Sequence, residues 1–145
     1  MDCLDRINTT NPFGESGFLF SERIAEKYYN AIRNFEIDCP TYEVLRAIGP
    51  YEDGERFVEM ASKDLNKELL DKAKEKITHR TKPISTKTIE DIAFGCIRRE
   101  YTESHKNPLT RFLSRIISRR TLRNVPFYYF LEKAYQKELL KLVPE

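Results

Sequence analysis

The chain has 145 residues, of which 40% are hydrophobic and 33% are charged, and its net charge at neutral pH is +2. This length favours a single domain, and this balance is typical of a folded protein rather than a disordered chain. No apolar run approaches the roughly 18 to 20 residues of a membrane span, and the N-terminus lacks the apolar core of a secretory signal. We therefore expect an intracellular protein, cytoplasmic or nuclear, with no membrane partner.

The cysteines support the same compartment. Cys3, Cys39 and Cys96 are far apart and odd in number. This pattern fits neither a disulfide framework nor a zinc ribbon. We interpret all three as reduced thiols and place Cys96 on the apolar face of a core helix.

The first half of the chain predicts an arm followed by helices. Residues 1–19 mix polar and apolar types around an Asn-Pro-Phe-Gly turn and predict a partly ordered N-terminal arm. Apolar residues then recur at steps of three and four, which indicates helices. The predicted helices lie at about 21–35, at 41–48, and from residue 53 or 54 to about 79.

The second half begins after a candidate linker at 78–84, a polar and basic tract that contains Pro83. A helix is predicted from Ser85 or Thr88 to Tyr101, and others begin at Asn107-Pro108 and at Asn124-Val125-Pro126, where the side chains suit helix starts. We therefore predict an all-α fold: a compact single domain over 20–145, with five or six helices in an orthogonal or bundle-like arrangement.

Charge is divided unevenly along the chain. Residues 1–75 contain 16 acidic and 10 basic side chains, whereas residues 76–145 contain 7 acidic and 15 basic ones. The basic half is richest between Lys106 and Leu131, where no Asp or Glu occurs. Such a segment needs an anion from elsewhere, which nucleic-acid phosphate, a partner protein or the acidic half of the chain would supply.

The arginines of this segment are regularly spaced. Four of them recur every fourth residue, so we predict a ladder along one side of a helix, beside an apolar stripe of Leu109, Phe112, Leu113, Ile116 and Ile117. Arginine suits phosphates because its planar fork donates two parallel hydrogen bonds. The candidate nucleic-acid-binding residues are Arg111, Arg115, Arg119, Arg120 and Arg123, with Lys106, Arg98 and Arg99 beside them.

Four consecutive aromatic residues follow at 127–130, and on a helix they point in all directions. Tyr128 and Tyr129 are therefore candidates for stacking on exposed bases. The alternative is that the rings complete the core and only their hydroxyls reach water.

No sequence pattern indicates catalysis. His79 and His105 have no metal-ligand spacing, and glycine-rich phosphate loops and nucleophile motifs are absent. We therefore expect no enzyme, no cofactor and no metal. The leading hypothesis is a helical accessory protein that contacts nucleic acid, meaning RNA or a nucleoprotein assembly, through the arginines. The alternative is a protein–protein adaptor or self-associating module that uses acidic and basic faces, in a larger complex or homo-oligomer.

Overall fold

In a computed structural model of the protein, the structure describes residues 22–37, 39–48, 54–79 and 83–143. These ranges contain eight helices and no strand, so the predicted all-α class is confirmed. The predicted arm at 1–19 lies outside the described residues. The helices are α1 (Glu22–Arg33), α2 (Thr41–Ile48), α3 (Glu55–Ser62), α4 (Lys67–Thr78), α5 (Thr86–Glu103), α6 (Pro108–Ser114), α7 (Arg119–Arg123) and α8 (Pro126–Leu140).

The helix predicted from 53 or 54 to 79 is two helices, α3 and α4. The chain turns after Ser62, and Asn66 caps the new helix: its side chain accepts a hydrogen bond from the backbone N–H of Leu69 at 3.2 Å. Asparagine is favoured at this position because it satisfies a backbone donor that a helix start leaves free. Apolar residues keep their helical spacing across this break. The sequence pattern therefore predicts one helix where the structure has two.

Helix α8 is the centre of the structure. Its residues Phe130 and Ala134 belong to an apolar cluster with α1, α2 and α3, whereas Leu131, Tyr135 and Leu139 belong to a second cluster with α4, α5 and α7. A helix that is buried on most sides must be apolar on most sides. Even so, none of the helices in the described ranges is long and apolar enough to cross a membrane.

The predicted linker at 78–84 falls partly outside the described residues, which omit 80–82. On either side of it, α4 and α5 pack against each other. Ile84 is partly buried against the second cluster, so the end of the predicted linker contributes to the core.

The cysteines differ from one another. Cys96 is a buried free thiol in the second cluster, as predicted. Cys39 is also buried but is disulfide-bonded, so the prediction of three reduced thiols is wrong for this residue. Spacing along the chain does not reveal which cysteines approach each other in the fold.

Candidate functional site

The arginine-rich segment forms two short helices rather than one. Helix α6 ends at Ser114, and residues 115–117 continue with hydrogen bonds that span three residues instead of four. Ser118 is extended, and its side chain accepts from the backbone N–H of Thr121 at 3.2 Å to cap α7. A continuous ladder of four arginines therefore does not form, because the backbone changes direction between Arg115 and Arg119.

Two of the predicted binding arginines are paired within the fold. Arg119 donates to the Asp91 carboxylate at 2.6 Å, and its guanidinium lies 4.8 Å from the ring centre of Phe94. Arg123 donates to both carboxylate oxygens of Glu132 at 2.9 and 3.0 Å. The counter-charges of these two arginines therefore come from the same chain. Asp91 lies on α5, and Glu132 lies on α8.

Four of the other predicted arginines line a groove of about 990 Å³ between α4, α5 and α6. Two acidic residues, Asp91 and Glu103, line this groove, and so do the apolar residues Leu69, Ala73 and Ile92. We call it the basic groove. Six basic side chains line it: Lys72, Lys76, Arg98, Arg99, Arg111 and Arg115.

Little of the positive charge in the basic groove is neutralised. Lys72 lies 3.5 Å from Glu68, and Arg99 lies 3.7 Å from Glu103, but both pairs are exposed and contribute little to stability. The other four basic side chains form no ion pair with any residue that the structure describes. The groove therefore carries an excess of positive charge.

Two of these arginines are partly oriented by neutral contacts. The Nε atom of Arg111 donates to the backbone carbonyl of His105 at 3.1 Å. The guanidinium of Arg98 lies 5.5 Å from the ring centre of Phe94. Neither contact supplies an anion, so both arginines retain donors for a ligand.

The sequence pattern did not predict Lys72 and Lys76 as site residues. They stand four apart on α4, and neighbouring acidic residues made this helix resemble an ordinary solvated surface. The signal was weak because only the packing of α4 against α5 places these lysines opposite the arginines of α6.

Arg119, Arg120 and Arg123 lie elsewhere. They line a second, shallow depression of about 500 Å³ that also includes Tyr42 and Tyr129. Arg120 is exposed and forms no ion pair with the described residues. The predicted set is thus divided between two surfaces, and the exposed Lys106 lines neither of them.

The two candidate stacking residues also differ. Tyr128 is buried, its ring meets Tyr101 edge to face with centroids 5.6 Å apart, and burial raises the pKa of its phenol. We therefore do not retain it as a stacking residue, because a base cannot reach its ring. Tyr129 is partly exposed, and Lys133 Nζ lies 5.5 Å from its ring centre. None of the described residues that line the basic groove is aromatic.

A buried polar link lies outside the basic groove. The Tyr135 hydroxyl donates to Glu100 at 3.0 Å and accepts from the backbone N–H of Asn66 at 3.0 Å. Burial raises the pKa of Glu100 to about 7. Because this link joins α4, α5 and α8, its geometry is that of a structural connection. The described residues hold no group of three or more His, Cys, Asp or Glu that would bind a metal ion.

Comparison with protein families, with curated sequences and with solved structures found no match to this chain.

Proposed function

We propose that this is a non-enzymatic helical accessory protein that contacts nucleic acid, meaning RNA or a nucleoprotein assembly, through the basic groove. The supporting observation is the set of six basic side chains around this groove, four of which have no acidic partner among the described residues. The residues proposed to bind are Lys72, Lys76, Arg98, Arg99, Arg111 and Arg115, with Lys106 and Arg120 as outlying contacts.

The proposed mechanism is electrostatic. Guanidinium groups bind phosphate oxygens through paired donors, and displacement of counterions from the nucleic acid drives association. Phosphate contacts position a nucleic acid but carry no sequence information. Since none of the described lining residues is aromatic, we expect little base stacking in the groove and weak sequence preference.

Arg119 and Arg123 are not part of this proposal. Each already donates to a carboxylate, so a phosphate would have to compete with Asp91 or Glu132 for it. Their proposed role is to hold α7 against α5 and α8.

The proposal is tested by fluorescence-anisotropy titration of single-stranded RNA, duplex RNA and duplex DNA between about 50 and 200 mM salt. The test variant is Arg98→Gln/Arg111→Gln/Arg115→Gln. The control Arg46→Gln/Lys63→Gln/Lys137→Gln removes the same charge from exposed sites outside the groove.

We expect the groove variant to weaken binding at least about tenfold at low salt. It should also flatten the slope of log affinity against log salt by about two to three units, since each lost phosphate contact removes about 0.7 to 0.9. The control variant should keep most of that slope. Equal losses in the two variants would show that net charge, and not the groove, determines binding.

A protein–protein adaptor or self-associating module is the second candidate. It is favoured by the opposite net charges of the two halves of the chain. Residues 1–75 contain 16 acidic and 10 basic side chains, and residues 76–145 contain 7 acidic and 15 basic ones. Sedimentation at low and high salt separates the candidates. A salt-sensitive dimer free of nucleic acid supports the adaptor, whereas co-purifying nucleic acid that high salt removes supports the first proposal.

A further inference from the structure

Helix α6 packs with its apolar side outward. Its buried residue is Ser114, which is 6% exposed, and the Ser114 hydroxyl donates to the backbone carbonyl of Arg111. The large apolar side chains of the segment are exposed: Leu109 by 66%, Phe112 by 63%, Leu113 by 51% and Ile116 by 78%.

These four side chains form one surface. They stand at positions i, i+3, i+4 and i+7, which share one side of a helix, and the tight turn after Ser114 continues the winding as far as Ile116. We call this surface the α6 apolar face. Arg111 and Arg115 line the basic groove, so α6 directs its arginines to the groove and its apolar side chains to solvent.

Exposure on this scale is costly. Burial of large apolar side chains is a main source of folding stability, and this segment gains little of that stability. Single exposed apolar residues are ordinary, but a contiguous group of large ones marks an interaction site for protein or membrane.

The charged residues of the segment that carries the α6 apolar face are all basic. No Asp or Glu occurs from residue 104 to residue 131. Lys106, Arg111, Arg115 and Arg120 form no ion pair with any described residue. A partner for this face must therefore be apolar at its centre and anionic around it. Two copies meeting through the same face would bring like charges together.

The size and chemistry of the face favour lipid over protein. A standard protein interface buries roughly 800 Å² and about 20 to 30 residues on each side, with hydrogen bonds throughout. The α6 apolar face has four residues, and their side chains contain no polar atom. A lipid surface requires only a few bulky apolar groups that enter the headgroup boundary, together with basic residues that meet anionic headgroups.

We propose that α6 docks on an anionic phospholipid surface. Leu109, Phe112, Leu113 and Ile116 enter the boundary between headgroups and acyl chains, to a depth of about 5 to 10 Å. The exposed Lys106, which lines neither the basic groove nor the second depression, contacts the headgroups. This is peripheral binding, and it departs from the expectation of no membrane partner, which rested on the absence of a spanning segment and a secretory signal.

The absence of tryptophan from the chain permits a direct test. Phe112→Trp introduces a single tryptophan on the α6 apolar face, and its emission is recorded with phosphatidylcholine vesicles that contain none or about 25% phosphatidylserine. Leu140→Trp is the matched control, because Leu140 is an exposed apolar residue on α8 beside Lys141. We expect a blue shift for Phe112→Trp with the anionic vesicles only, and no shift for the control.

A second measurement separates lipid binding from the proposed groove function. Leu109→Ser/Phe112→Ser/Ile116→Ser should reduce co-sedimentation with anionic vesicles at least tenfold and leave RNA binding unchanged. Lys76→Gln/Arg98→Gln should weaken RNA binding and leave the vesicle-induced shift intact. Since the three replaced apolar side chains are exposed, circular dichroism should show an unchanged helical fold.

Three outcomes would overturn the proposal. The first is an emission that does not respond to anionic vesicles. The second is an equal shift with neutral vesicles, which would remove the role of charge. The third is an emission that is already blue-shifted in buffer. If that shift depends on concentration, a second copy covers the face; if it does not, the chain itself covers it.

Discussion

Arg123 binds both oxygens of one buried carboxylate: its Nε and Nη2 donate to the two oxygens of Glu132 at 2.9 and 3.0 Å. Glu132 is 2% exposed, and Arg123 is its ion-pair partner. Paired donors of this kind are among the stronger hydrogen bonds in proteins. The pair connects the short helix α7 to the central helix α8.

Replacing Arg123 by alanine should lower the free energy of unfolding by about 3 kcal/mol. This is the lower end of the range for breaking a buried ion pair, because Arg123 itself is partly exposed. Urea denaturation measures the change. Arg120→Ala, one turn earlier and exposed, should change stability by no more than about 0.5 kcal/mol. Similar losses for both variants would show that the pair is not important for stability.

Glu100 should make stability depend on pH. Burial raises its pKa to about 7, above the ordinary value of 4.5, so the folded state binds a proton that the unfolded state releases. Its favourable contribution is therefore complete below about pH 4.5 and is lost as the pH rises through about 7. Glu100→Gln keeps a neutral side chain at every pH. We expect the melting temperature of this variant, relative to wild type, to rise between pH 5 and pH 8.

A constant difference between the two melting temperatures across this range would contradict the assignment to Glu100. Glu75→Gln is the control, because Glu75 is exposed on α4 and is not among the groups that shift the pKa of Glu100. Its replacement removes the same formal charge without removing a buried carboxylate.

Tyr135→Phe should destabilise the protein by about 1 to 3 kcal/mol, because it leaves the Asn66 N–H without an acceptor and Glu100 without a donor. The loss should be larger at pH 8 than at pH 5, since an ionised Glu100 depends more on the donor. Chemical denaturation at both pH values measures it. Tyr42→Phe removes an exposed hydroxyl and should have almost no effect. A pH-independent loss at Tyr135 would argue against its coupling to Glu100.

Cys96 should react slowly with iodoacetamide in the native protein. Burial raises the pKa of its thiol to about 11, so the reactive thiolate is scarce at pH 8. We expect alkylation at least about a hundredfold slower than in urea. Peptide mapping by mass spectrometry assigns the modification to Cys96. A native rate close to that in urea would show that the second cluster opens readily.

Local sequence signals predicted where several helices begin. Asn107 caps α6 by accepting from the backbone N–H of Leu109 at 2.9 Å, and Pro108 is the first helical residue. Ser85 caps α5 in the same way, and α8 begins at Pro126. Such signals are readable because each involves groups only a few residues apart. Asn66 and Ser118 cap α4 and α7 by the same kind of side-chain hydrogen bond. The apolar residues around them keep a regular helical spacing, so the sequence pattern did not predict a break at either residue.

The sequence by itself determined the helical class, the caps of α5 and α6 and the excess of basic residues after residue 75, since these depend on neighbouring residues and on composition. Tertiary structure alone decided which charges are neutralised, because the partners of Arg119 and Arg123 lie 28 and 9 residues away. It alone also decided that α6 buries Ser114 and exposes its apolar side. Periodicity shows that a helix has two faces, but the packing of the other helices determines which face meets the core.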